Sequence, residues 1–150
     1  MKTRIIQKED AVFWMDKDGN WNNEHGRFEH PKLIKFFHRS IQKDDNGFFV
    51  YQQTDEYEEK VYFKYEDTAV FVFDIDVSDR ITLHLNTGRE LVLDPAQLVE
   101  KGDSLYVAAS DFQIKFTQKS LVKLSRFMTE KGDSLWLAFN GETWEIETIK

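Results

Sequence analysis

The sequence of 150 residues has no cysteine. That excludes disulfides, cysteine-ligated zinc, iron–sulfur clusters and thiol nucleophiles. It is also short of positive charge: 20 Lys and Arg stand against 27 Asp and Glu, a formal charge of −7. Nucleic acids and anionic membrane surfaces attract proteins through clustered basic side chains, so neither is expected as a partner. Before Asp10 there is no apolar run of the length a secretory signal needs, and the expected location is the cytoplasm. Phosphate loops, dinucleotide fingerprints and serine elbows are absent, so no cofactor is implied. What the chain does have is aromatic side chains, 13 Phe, 5 Tyr and 4 Trp, in a sequence that is 41% hydrophobic and 31% charged. That composition belongs to a folded globular body rather than a disordered chain.

Two amphipathic stretches stand out. Pro31 suits a first helical turn, and Leu33, Ile34, Phe36, Phe37 and Ile41 follow at helical spacing, with Lys35, His38, Arg39 and Gln42 opposite. The spacing predicts a helix ending near Lys43. A second helix is expected from Gln118 to near Lys131, with Leu121, Val122, Leu124 and Met128 inward. Aligning Leu33 with Leu121 lays one helix on the other at an offset of 88 residues. Each is followed by an apolar strand and a returning strand, and the second return carries Asn140-Gly141, the favoured pair for a tight type I′ turn. The pattern reads either as an internal repeat of helix plus hairpin or as the chance likeness of two amphipathic helices. Another recurrence, Glu100 to Leu105 repeated as Glu130 to Leu135, reads as one local turn device used twice.

Between the helices, residues 69–94 alternate with period two, which predicts an antiparallel meander. The loop Ser78-Asp79-Arg80 pairs Val77 with Ile81 and Ile75 with Leu83, and the loop Thr87-Gly88-Arg89 pairs Leu85 with Leu91. The expected fold is α+β, with antiparallel curved sheets and two amphipathic helices. It divides into an N-terminal half (1–68) and a C-terminal half (69–150), compact enough to form one domain.

Four groups of residues bear on function. In the meander register Asp74 faces His84 and Asp76 faces Thr82 on the outer side, a carboxylate and histidine arrangement within the range used by hydrolases. The plain alternative is a solvated cross-strand pair. His25, His30 and His38 with Glu24 and Glu29 are the nearest thing to a metal-ligand set. Their spacing puts them on no common helix face, and no metal site is expected. Asp16-Lys17-Asp18-Gly19-Asn20 starts like a calcium loop, but the positions that need Gly and Glu hold Trp21 and Arg27, so it reads as a hairpin turn. Trp14, Trp21 and Phe28, before the first helix, and Trp136 and Trp144, flanking the Asn140-Gly141 turn, are the aromatics outside the evident core pattern. Trp and Tyr are enriched at binding hot spots, so Trp14, Trp21 and Phe28 are candidate contacts for a protein or small ligand. A structural homodimer joined through a sheet edge is a third reading.

The succession Asp18-Gly19-Asn20-Trp21, Phe28 to Phe37, Gly47 to Tyr65, Tyr65 to Ala69 and Asn86 to Asp94 resembles a bacterial family known as domain of unknown function 1285. The resemblance runs in order from about Met15 to Ile149 and implies an α+β fold with repeated helix-and-sheet motifs and a role in signal transduction. It brings no established activity, ligand or catalytic residue.

Overall fold

The computed structural model describes residues 2–149, and the chain falls into two compact units, Met1–Ala69 and Val70–Lys150. The first unit contains β1 (Lys2–Ile6), β2 (Phe13–Met15), β3 (Trp21–Asn23), β4 (Gly26–Arg27), α1 (Pro31–Arg39), β5 (Ile41–Asp44), β6 (Gly47–Gln53), β7 (Tyr57–Tyr62) and β8 (Lys64–Tyr65). They form two four-stranded sheets, ordered β1-β7-β6-β5 and β4-β3-β2-β8.

The second unit contains β9 (Val70–Val77), β10 (Ile81–Leu85), β11 (Glu90–Val92), a 3-10 turn at Pro95–Gln97, β12 (Leu98–Lys101), β13 (Ser104–Ala108) and β14 (Gln113–Phe116). It continues with α2 (Gln118–Ser125), β15 (Met128–Lys131), β16 (Ser134–Phe139), β17 (Glu142–Glu145) and β18 (Glu147–Ile149). Its sheets are ordered β11-β10-β9-β14-β13-β12-β18 and β15-β16-β17.

The fold is α+β. The sheets are mixed rather than antiparallel throughout, because β1 runs parallel to β7, β2 to β8, β9 to β14 and β12 to β18. These pairings join residues far apart in sequence, and no local turn signals them.

Both helices are shorter than their apolar spacing predicts. The Ser40 N–H donates to the carbonyls of Phe36 and Phe37, and its Oγ donates to the Phe36 carbonyl, which closes α1. Ile41 then enters β5 opposite Val50. In α2 the Phe127 N–H bonds back to the Leu124 carbonyl, and Met128 enters β15 opposite Leu137. Ile41 and Met128 fit the helical period, but strand pairing claims them, since tertiary contacts override so short a periodic tail.

The inward face of α1 also differs from the expected one. Leu33 and Phe36 are 43% and 49% exposed, Ile34 and Phe37 are half-buried, and His38, expected on the polar side, is buried. Correspondingly the hairpins match at an offset of 87 rather than 88: Ile41 opposite Val50 corresponds to Met128 opposite Leu137. At that offset Ile34 and Phe37 fall on the half-buried Leu121 and the buried Leu124 of α2, whereas Val122 is exposed.

In the meander, Val77 faces Ile81 and Ile75 faces Leu83, as the alternation requires. The register then shifts after His84, so that Leu85 lies opposite Val72. Val70, Phe71 and Val72 are all buried, which breaks the expected alternation: β9 is an interior strand with α2 packed against it. The next turn is Asn86-Thr87-Gly88, with the Leu85 N–H donating to the Arg89 carbonyl. This puts Leu91 opposite Leu83 instead of Leu85. Leu91 and Val92 are exposed on the edge strand β11. No helix among the described residues is long and apolar enough to cross a membrane.

Candidate functional site

The three aromatics Trp14, Trp21 and Phe28 part company in the structure. Trp21 is 1% exposed and forms the centre of a ring cluster, with centroids 4.8 Å from Phe63, 5.3 Å from Phe37 and 5.6 Å from Phe13. Its Nε1–H donates to His38 Nδ1 at 3.1 Å. Burial pushes the His38 imidazole down to about 4, which favours the neutral ring whose Nδ1 lone pair accepts this bond. Trp21 is therefore a core residue and offers no surface to a ligand. Phe28 is half-buried edge-on against Phe37 at 5.1 Å, closing the same cluster.

Trp14 is 39% exposed. Alternation along β2 puts Met15, its neighbour, fully inside and turns Trp14 outward. The Asp16 turn fixes this strand end. Asp16 Oδ1 accepts the N–H groups of Asp18 and Asn20, and the Asn22 amide reaches Oδ2. Burial opposes the Asp16 charge, but these bonds hold its carboxyl below the usual carboxylate range. The same residues that imitate a calcium loop are thus spent on an Asx-type turn.

Beside Trp14 runs β8, in parallel register with Trp14 opposite Lys64 and Met15 opposite Tyr65. Two further bonds hold the strands together: the Glu66 N–H donates to the Met15 carbonyl, and the Lys17 N–H to Glu66 Oε2. The result is an open groove of about 300 Å³ lined by Lys8, Glu9, Ala11, Phe13, Trp14, Met15, Lys64, Tyr65 and Glu66. Tyr65 is itself 40% exposed and is steadied edge-on by Phe48 at 5.6 Å. Lys8, Lys64 and Tyr65 also line a second cleft of about 190 Å³ with Asn46, Phe48 and Tyr62. Neither Lys8 nor Lys64 forms an ion pair among the described residues. Lys64 and Tyr65 were invisible as site residues in the sequence, since only the parallel pairing of β2 with β8 brings them to Trp14, and Lys8 comes from the connection between β1 and β2.

The carboxylate and histidine set of the meander does not assemble as a catalytic group. Asp74 does lie opposite His84 in register, but its carboxylate turns to α2, with Lys123 Nζ at 2.5 Å and Lys119 Nζ at 3.6 Å. The Lys123 ammonium holds its carboxyl below the usual range. His84 is occupied on both nitrogens, Nε2 by Asp76 at 2.5 Å and Nδ1 by Glu90 at 3.3 Å. The Asp76 side chain is largely in solvent. Asp74 is ion-paired to α2 while Asp76 and His84 bond to each other on an open strand face, so the three side chains do not converge on a common reacting position.

Of the metal-ligand types, His38 is buried against Trp21 and His25 is exposed beside Glu24 at 3.4 Å. Among the described residues no three His, Asp or Glu gather to hold a metal ion. Trp136 and Trp144 are both half-buried. Lys131 Nζ stands 5.3 Å over the Trp136 ring, and Trp144 lines a small cleft of about 190 Å³ with Arg80 and Asn140.

No family model and no curated protein matches the sequence. Two solved structures resemble the fold. One, a DUF1285 family protein from Silicibacter pomeroyi, has a TM-score of 0.65 at 13% identity, covering 99% of this chain and 85% of that one. The other, a DUF1285 family protein from Shewanella baltica, has a TM-score of 0.52 at 18% identity, covering 74% of this chain and 87% of that one. At such identities the likeness is one of fold, and the fold of this chain is that of the DUF1285 family proteins.

Proposed function

We propose that the protein is a non-catalytic binding module of the cytoplasm, and that its contact surface is the Trp14 and Tyr65 groove of the first unit. The ligand class that suits the groove is a small planar molecule bearing an anionic group. The observation that carries this reading is the pairing of two exposed rings, Trp14 and Tyr65, with two ammonium groups, Lys8 and Lys64, that have no carboxylate partner among the described residues. Rings supply a flat apolar contact, and an unpaired ammonium favours an anion over a neutral ring of the same shape. Glu9 and Glu66 line the groove too, so the anionic group is assigned to the side where Lys8, Lys64 and Tyr65 also line the second cleft, which has no acidic lining residue among the described residues. Binding without chemistry suits the signalling role that the family resemblance implies. The hydrolytic alternative has no such support, since Asp74 is paired with the lysines of α2 and does not join the Asp76 and His84 contact.

The test is an NMR titration with indole-3-carboxylate and, in parallel, neutral indole. Indole-3-carboxylate is expected to shift resonances of Trp14, Lys64 and Tyr65 and to bind more tightly than indole. Trp14→Ala should weaken it by about tenfold, and Lys64→Ala should erase the advantage of the carboxylate. Shifts that avoid the groove, or equal binding to Trp14→Ala, would refute the assignment.

A further inference from the structure

The repeated hexapeptide Glu100–Leu105 and Glu130–Leu135 acquires a meaning in the fold that its sequence alone does not give. Each copy forms the turn of an antiparallel hairpin, with Lys101 opposite Ser104 and Lys131 opposite Ser134. Gly102 and Gly132 adopt nearly the same left-handed conformation, φ +59° and +61°. The two hairpins belong to different sheets of the second unit, yet both line one open cleft of about 620 Å³. Its apolar lining is Leu105, Leu121, Met128 and Leu135, of which Leu105 is buried and the other three are half-buried.

Every charged side chain lining this cleft is acidic: Glu100, Asp103 and Glu130. The lysines of the same hexapeptides do not line it, and Lys131 lies over the Trp136 ring instead. None of the three carboxylates has a hydrogen-bond or ion-pair partner among the described residues. A neighbouring depression of about 500 Å³ continues the same character, since its charged lining residues are Glu145 and Glu147.

We propose that this cleft docks a basic amphipathic segment of a partner protein. A leucine-sized side chain of the partner sits on Leu105, Leu121, Met128 and Leu135, and Lys or Arg on either side of it faces Glu100 and Asp103 on one wall and Glu130 on the other. Three unpaired carboxylates around an apolar floor repel one another and draw in a cation, while the floor adds contact area that a simple cation lacks. An anionic partner is excluded by the sign of the field. A second copy of this chain is disfavoured as occupant because it brings its own charge of −7. The cleft is separate from the Trp14 groove, and the two readings stand or fall independently.

The test uses fluorescence anisotropy on the full chain at low ionic strength. The probe is a fluorescein-labelled peptide with one Leu-Leu pair flanked by lysines, and its control has Ser-Ser in place of the pair. The Leu-Leu peptide is expected to bind about tenfold more tightly than the Ser-Ser peptide. Combined Glu100→Gln, Asp103→Asn and Glu130→Gln should weaken it by about tenfold, and combined Asp10→Asn, Asp55→Asn and Glu56→Gln, an equal charge change on exposed residues of the first unit, by about twofold or less. Ser125→Arg, an exposed position at the end of α2 that lines the cleft, should block binding by placing a cation against the carboxylates. Equal losses in the two triple variants, equal binding of the two peptides, or undiminished binding to Ser125→Arg would overturn the proposal. So would a dimer in light scattering that the cleft variant abolishes, because that result assigns the cleft to a second copy.

Discussion

The two units run through the same order of pairings on different interiors. In each, a three-stranded run (β2-β3-β4 or β12-β13-β14) leads to a helix and then to an antiparallel meander (β5-β6-β7 or β15-β16-β17). A last strand then leaves the meander and pairs in parallel with the first strand of the run, β8 with β2 and β18 with β12. Beneath α1 the space is filled by rings around Trp21, with the Trp21 to His38 hydrogen bond at the centre. At α2 the inward residues are Leu124 and Ser120, and the Ser120 Oγ donates to the Val72 carbonyl of β9 at 2.8 Å. Pairing order and interior chemistry are thus separable. One scheme of strands tolerates a cluster of rings around a tryptophan in one unit and, in the other, a mostly aliphatic core with Phe71, Tyr106 and Phe116, tied to α2 by hydroxyls. The choice has consequences for how each unit responds to substitution and to acid.

The largest expected difference is in the cores themselves. Trp21→Ala should cost about 3–5 kcal/mol in urea unfolding, because it removes the ring that Phe13, Phe37 and Phe63 share, and Leu124→Ala about 2–5 kcal/mol. A Trp21→Ala cost below about 1 kcal/mol would mean that the ring cluster is not what holds α1.

Acid should separate the units next. His38 is held neutral in the folded state at a value of about 4 against an ordinary 6.5, so the unfolded chain binds the proton more readily. The contribution is fully present above pH 6.5, is lost as pH falls from there towards 4, and does not change further below that. The loss amounts to about 3 kcal/mol, measured as the pH dependence of unfolding. His38→Gln should flatten that slope. An unchanged slope in the variant would show that other groups govern the acid response.

The smallest effect belongs to α2. Ser120→Ala should cost about 1 kcal/mol, the net worth of a hydrogen bond, because the Val72 carbonyl keeps the Thr117 Oγ1 donor when Ser120 loses its own. A cost above about 3 kcal/mol would show that Ser120 does more than tie α2 to β9.

What the sequence disclosed divides along the same physical line. The β9 to β10 register was legible because period two and a three-residue loop fix it locally, and Asn140-Gly141 forms its turn with φ of 51° and 78°. Helix ends were not, since Ile41 and Met128 satisfy a helical period and a strand equally well until their partners Val50 and Leu137 are known. His38 was misplaced because a histidine scores as polar until a buried donor such as Trp21 Nε1 is found for it. Trp14 was legible as an aromatic outside the core pattern. Of the residues that make a groove beside it, Lys64 and Tyr65 come from another segment and are gathered by a parallel pairing that leaves no local trace, while Lys8 lies in the connection between β1 and β2.

The closing strands bear on the rate at which the protein reaches this state. β8 meets β2, and β18 meets β12, across about fifty residues of chain in each case. Such contacts carry a large loop-closure entropy and reward it late, after the helix and meander between them have compacted. Folding of both units should therefore be slow for their size. Substitutions in β8 and β18 should act mainly by speeding unfolding, whereas those in the local hairpins should slow folding. The seams that complete each unit are then also the places where its lifetime is decided.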